Sequence, residues 1–186
     1  MSVNAREALL EAARRQAQAH GYGGLNLREI AAGAGIKAAS IYYHFKDKAE
    51  LATAVARRYW ENTAVGLDAL SAEAGSPVEA LRRYPTMFRP ALEDGNRMCL
   101  CSFMAAEFDD LPDTVKTEVQ TFADVNTAWL ERMLIEAHGP RADWSVRAKA
   151  IFASIAGAQL MARSRADIAL FDQLSAEYVR SGLIPV

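Results

Sequence analysis

Between Val3 and Ala19, apolar side chains recur at Leu9, Ala12, Ala13 and Ala17, while Arg6, Glu7, Glu11, Arg14, Arg15 and Gln18 take other positions. That i, i+3, i+4 stripe predicts an amphipathic helix over residues 3–19. It stops at His20, before the turn signal Gly21-Tyr22-Gly23-Gly24. A phosphate-cradling glycine loop would need a preceding strand and a following Lys-Ser or Lys-Thr, and neither is present. Asn26 then offers an N-cap, with Glu29 to complete a capping box and Leu25 to staple against Ile30. The pattern predicts a helix over 27–34 with Leu27, Ile30, Ala31 and Ala34 inward, a turn through Gly35, and a second short helix over 38–44 with Ile41 inward and Phe45 closing it. Two short helices about one glycine turn, with Ala31 small enough for a close crossing, form the pattern of a helix-turn-helix. Asp47 and Glu50 make another capping box, so a long helix is expected from 47 to about 70.

Beyond it, Gly and Pro signals at Gly75-Ser76-Pro77, Asp94-Gly95-Asn96, Leu111-Pro112 and Gly139-Pro140 divide the chain. Further helices are expected over 77–93, 98–109, 113–138, 143–165 and 167–181, about nine in all. Composition agrees: among 186 residues alanine occurs 36 times, against 25 for Val, Ile and Thr together. An all-α chain is expected, and a β-sandwich is close to excluded. No secretory signal and no run of 18 apolar residues is visible, so a cytoplasmic protein without a membrane partner is expected. The formal charge of -2, taken as a total, argues against nucleic acid, but it is unevenly spread. Residues 1–50 carry seven basic and five acidic side chains, and residues 51–186 carry 14 and 18. From Gly35 to Lys46 there is no acid, and Lys37, His44 and Lys46 alternate with Tyr42, Tyr43 and Phe45. A local electrostatic footprint can coexist with a negative total.

The series Leu27-Arg28-Glu29-Ile30-Ala31, Gly35-Ile36, Ser40-Ile41-Tyr42-Tyr43-His44-Phe45 and Lys48-Ala49-Glu50-Leu51 resembles the DNA-binding domain of the TetR family of bacterial transcriptional regulators, over residues 5–55 and without insertion. The resemblance implies a DNA-binding domain over 1–50 and a helical effector-binding and dimerisation domain over 51–186, joined by the long helix. It also implies a homodimeric, ligand-responsive regulator, most often a repressor, on a palindromic operator. Two positions depart from the family pattern. Lys37 stands where Ser usually caps the recognition helix, and Ala39 where Gly is common.

In a helix-turn-helix the second helix enters the major groove and flanking groups hold phosphates. Ala38, Ser40, Tyr43 and His44 would then face the bases, and Tyr42 resembles the family's phosphate-contacting tyrosine. Lys48, in the first turn of the next helix where backbone N-H groups favour an anion, would complete a phosphate clamp with Tyr42, and Lys46 adds a placed cation. Arg28 is the side chain best able to reach guanine in bidentate fashion. Lys37 opposes the helix dipole and supplies no cap, a cost that contact with DNA would offset.

In the remaining two-thirds, Met and aromatic stripes fit ordinary core, while the resemblance raises the alternative of a pocket for a small apolar effector. Tyr84, Met87, Cys99, Phe103, Phe122 and Trp129 are the candidates for its lining. The last two helices read as a dimerisation pair. Ile151, Ser154, Ile155, Ala158 and Ala162 form one stripe, Ile168, Phe171, Leu174 and Tyr178 the next, and Ala153 and Gly157 permit close approach. Cys99 and Cys101 form neither a zinc spacing nor a disulfide framework. Their segment resembles a C-terminal subgroup of the family, some of whose members sense electrophiles or oxidants through cysteine, so Cys99 is either a reactive switch or an inert buried thiol. A helical enzyme using Cys99 or Glu107, Asp109, Asp110 and Asp113 is the rival reading from another class. No catalytic motif supports it, His20, His44 and His138 fall in separate segments, and no metal or cofactor is expected. A helix-turn-helix protein acting as a heteromeric partner is the third.

Overall fold

The structure, a computed structural model, describes residues 5–186. Among them are nine α-helices, three short 3-10 segments and no strand. No helix of the described residues is long and apolar enough to cross a membrane. The chain divides into two compact units, one taking in the chain up to Glu61 with Leu100–Phe122, the other Asn62–Cys99 with Ala123–Val186.

In the first unit, α1 (Ala5–His20) buries Leu9, Leu10, Ala13 and Ala17. The expected helix began two residues earlier, and residues 3 and 4 lie outside the described residues. α2 (Leu27–Gly33) is capped by Asn26, whose Oδ1 accepts the N-H groups of Arg28 and Glu29. The capping box is rearranged: the Asn26 N-H donates to Gln16 Oε1, and Glu29 instead accepts from the Gln16 and Asn26 amides. α2 ends in a Schellman turn, in which the Gly35 N-H donates to the Ala32 carbonyl and the Ile36 N-H to that of Ala31. Gly35 takes φ +71, the left-handed conformation the turn requires.

The next segment, Ala38–Tyr43, is a 3-10 helix where the sequence suggested an α-helix over 38–44. It is six residues long and starts without a side-chain cap, and a tight i→i+3 turn suits so short a span. Ile41 and Phe45 anchor it in the core, and the Arg6 guanidinium lies 5.3 Å above the Phe45 ring. α3 (Lys48–Ala74) contributes Leu51, Ala52, Val55 and Ala56 to this unit. α6 (Leu100–Ala105) packs on α1, and α7 (Asp113–His138) begins here with Val115, Val119 and Phe122 buried. The buried Glu118 accepts from Arg57 and from the Trp60 indole, so its charge is matched.

In the second unit, the expected helix over 77–93 is three pieces: α4 (Pro77–Arg83), a 3-10 turn Tyr84–Met87 and α5 (Arg89–Glu93). Pro85 and Pro90 each open a new piece, because proline supplies no N-H to continue the ladder behind it. In the first unit, the helix expected over 98–109 is likewise α6 plus a 3-10 turn at Phe108–Asp110. α8 (Trp144–Arg165) and α9 (Ile168–Arg180) pack on each other and on α5. The wholly buried Gln159 ties α8 to the loop before α6: its Oε1 accepts the Cys99 N-H and its Nε2 donates to the Phe88 carbonyl.

Candidate nucleic-acid interface

The 3-10 segment sorts its side chains cleanly. Ile41 and Phe45 are buried, whereas Tyr42 is 60% and Tyr43 89% exposed. Two adjacent aromatics are thus left in water. Around them Lys37, Ala38, Ala39 and Lys46 are exposed, Ser40 and His44 are half-buried, and Arg28 projects from α2 into solvent. Lys37 stands at the N-cap in extended backbone, and its side chain makes no cap bond. The expected reading residues therefore cluster on one unit and on the side away from its core.

Beside them, Gly23, Gly24, Leu25, Asn26, Leu27, Arg28, Tyr42 and Lys48 line an open concavity. The Lys48 Nζ donates to the Gly23 carbonyl at 2.9 Å and lies 4.6 Å from the centre of the Tyr22 ring. Burial, with the charge of Asp47 adding to it, pushes the Tyr22 hydroxyl above its ordinary pKa. The sequence placed Lys48 at a helix terminus open to an anion. In the structure an anion is already there, since the Asp47 carboxylate accepts the Glu50 N-H. What Lys48 can offer an external phosphate is its ammonium, with the Gly23 carbonyl using one of three N-H donors.

The residue that sequence reasoning missed is Glu107. It belongs to an acidic cluster that reads as a solvated loop, yet its carboxylate accepts the Tyr22 N-H at 2.5 Å and the Gly23 N-H at 3.0 Å. Gly21 and Gly23 leave the room: a Cβ at either would press on the Glu107 carboxylate. Glycines flanking Tyr22 were the available signal, but their partner stands 84 positions along the chain.

Residues 9–55 match the family model described as bacterial regulatory proteins, tetR family. No curated protein matches. The fold is similar over nearly its whole length to a TetR-family transcriptional regulator from Agrobacterium tumefaciens, with TM-score 0.87, 26% identity and coverage of 95% of this chain and 96% of that one. A TetR transcriptional regulator from Legionella pneumophila gives TM-score 0.89 at 26% identity, covering 97% and 99%. The N-terminal region of the chain thus matches the TetR family, and the chain as a whole shares the fold of TetR-family transcriptional regulators. Reduced E. coli NemR shares the fold, with TM-score 0.82, 20% identity and coverage of 95% and 96%. The proteins this chain resembles are DNA-binding transcription regulators, and the matched segment 9–55 contains the helix-turn-helix described above.

Elsewhere in the chain, the candidate effector residues are mostly packed. Tyr84 stacks on Trp129 with ring centres 5.5 Å apart, meets Phe88 edge-on, and donates its hydroxyl to Asn126 Oδ1. Burial drives the Tyr84 pKa well above its ordinary value, so the hydroxyl stays a donor. Met87 is half-buried with its methyl against Gly66. Phe122, beside the Tyr59 ring, and the half-buried Phe103 belong to the first unit, apart from the other four.

The burial pattern bears on two sequence expectations. Cys99 and Cys101 are both buried free thiols, and a reactive thiol needs access, so the folded chain presents neither to an oxidant or electrophile. Ile151, Ile155, Ala158, Ala162 and Phe171, expected on a dimer surface, lie inside the chain's own core, with Ile168, Leu174 and Tyr178 half-buried. The apolar residues that α8 leaves in solvent are Val146, Ala153, Gly157, Leu160 and Met161.

Proposed function

We propose that the chain is a homodimeric, ligand-responsive repressor that reads a palindromic operator in the cytoplasm and is released from it by a small apolar effector. The DNA-binding work falls to residues 1–50, and effector binding and dimerisation to residues 51–186. The carrying observation is the exposed pair Tyr42 and Tyr43, set among Arg28, Lys37 and Lys46 while Ile41 and Phe45 hold the same turn in the core. Tyr42 and Lys48 hold phosphates, and Arg28, Lys37, Ala38, Ser40, Tyr43 and His44 meet base edges. The second copy docks on the exposed side of α8, at Val146, Ala153, Gly157, Leu160 and Met161, where Gly157 offers a close backbone approach with no atom standing over its missing Cβ. Two-fold symmetry then sets two reading segments about one DNA turn apart. An effector that displaces the Tyr84–Trp129 stack shifts the population of dimers away from that spacing. Selection from random oligonucleotides at fixed salt tests the reading: one enriched palindrome is the expected result, and unenriched DNA overturns it.

A further inference from the structure

The loop between α1 and α2 contains three glycines in four residues, so it has little stiffness of its own. It is nevertheless held on both edges. Consecutive N-H groups, from Tyr22 and Gly23, converge on the Glu107 carboxylate, and the Gly23 carbonyl takes a hydrogen bond from the Lys48 ammonium. Converging N-H groups form an anion-binding nest, and bonds to an ionised acceptor are roughly twice as strong as neutral ones. With the nest filled by a side chain of the same unit, the next peptide has a fixed direction. Its carbonyl and the Tyr22 ring then fix an ammonium that would otherwise swing on a four-carbon stem.

We infer that Glu107 is a positioning residue for DNA binding: by gripping the Tyr22 and Gly23 amides it sets the loop that holds Lys48 beside Tyr42 and Arg28 at the concavity. Glu107 touches no DNA in this scheme. It removes ahead of time the rotamer freedom that Lys48 would lose on meeting a phosphate. The inference rests on the reading of Lys48 as a phosphate contact.

The test is the affinity of the full chain for a labelled mixed-sequence duplex of roughly three helical turns, measured by anisotropy over a salt series. The proteins are the wild type, Lys48→Ala, Glu107→Ala, the double variant and Glu107→Gln. Lys48→Ala is expected to weaken binding and to lower the salt slope by about one per subunit. Glu107→Ala is expected to weaken binding about 3- to 10-fold, the scale of immobilising one rotamer-rich side chain, and less than about 2-fold when Lys48 is already gone. Glu107→Gln, which keeps one acceptor oxygen, falls between. An equal loss in both backgrounds, or none in either, overturns the inference and leaves Lys48 standing. An unchanged Lys48→Ala removes the Lys48 reading and the inference with it. Amide exchange separates positioning from unfolding: in Glu107→Ala it rises at Tyr22 and Gly23 and stays slow at Ile41, whereas a rise at all three overturns the positioning role.

Discussion

Lys37 occupies the one place in the helix-turn-helix where a side-chain oxygen would serve the folded chain better than a cation. Its backbone is set as an N-cap and its side chain bonds nothing there. Lys37→Ser supplies the missing acceptor and is expected to stabilise the free protein by on the order of 0.5 kcal/mol, read as a raised thermal midpoint. The same change is expected to weaken DNA binding and to flatten its salt dependence by about one counterion per subunit. A Lys37→Ser protein with wild-type affinity and slope would remove Lys37 from the interface. The lysine was legible in the sequence because a cap position is local and its chemistry is fixed by the backbone next to it. Glu107 was not, because its partners are main-chain N-H groups and any residue type can supply those.

For elements, legibility follows the range of the forces. The cap at Asn26 acts over three residues and was read directly, and the structure adds caps of the same kind at Ser76 and Asp167. The breaks at Pro85 and Pro90 were also local, since a proline inside a helix removes a ladder N-H, but the apolar spacing runs on through both and the expected helix followed the spacing. The identity of α8's inner face was hidden for a related reason. Its apolar residues occur nearly all round, so no polar stripe shows which of them the chain keeps for itself. Within α1, Glu11 is bonded by Arg14 at 2.6 Å and by Arg15 at 3.1 Å, and these guanidiniums, chiefly Arg14, hold its pKa at about 2 against an ordinary 4.5. A carboxyl depressed in the folded state contributes stability that is whole above pH 4.5 and is lost as pH falls toward 2. Both pairs are part-exposed, which limits each to roughly 0.2–0.5 kcal/mol. Glu11→Gln is therefore expected to lower the denaturation midpoint slightly at pH 7 and to match the wild type near pH 2, and denaturant melts at both values check it.

At the scale of the whole molecule, an apolar stripe satisfied inside a chain and one satisfied by a second chain look alike in sequence, and burial separates them. Leu160, 55% exposed on α8, belongs to the second kind in the proposed assembly. Leu160→Arg is expected to leave the helical spectrum unchanged, to sediment as a monomer at micromolar concentration, and to bind a palindrome only as a half-site; a dimer that survives the change places the contact elsewhere. The two thiols carry a last consequence. Cys99 falls in one packing unit and Cys101 in the other, although a single residue separates them. Each is sealed, so a thiol reagent modifies each only when the structure around it opens. The chain thus contains, without any engineering, two clocks only two residues apart, whose labelling rates compare the opening of one unit with that of the other.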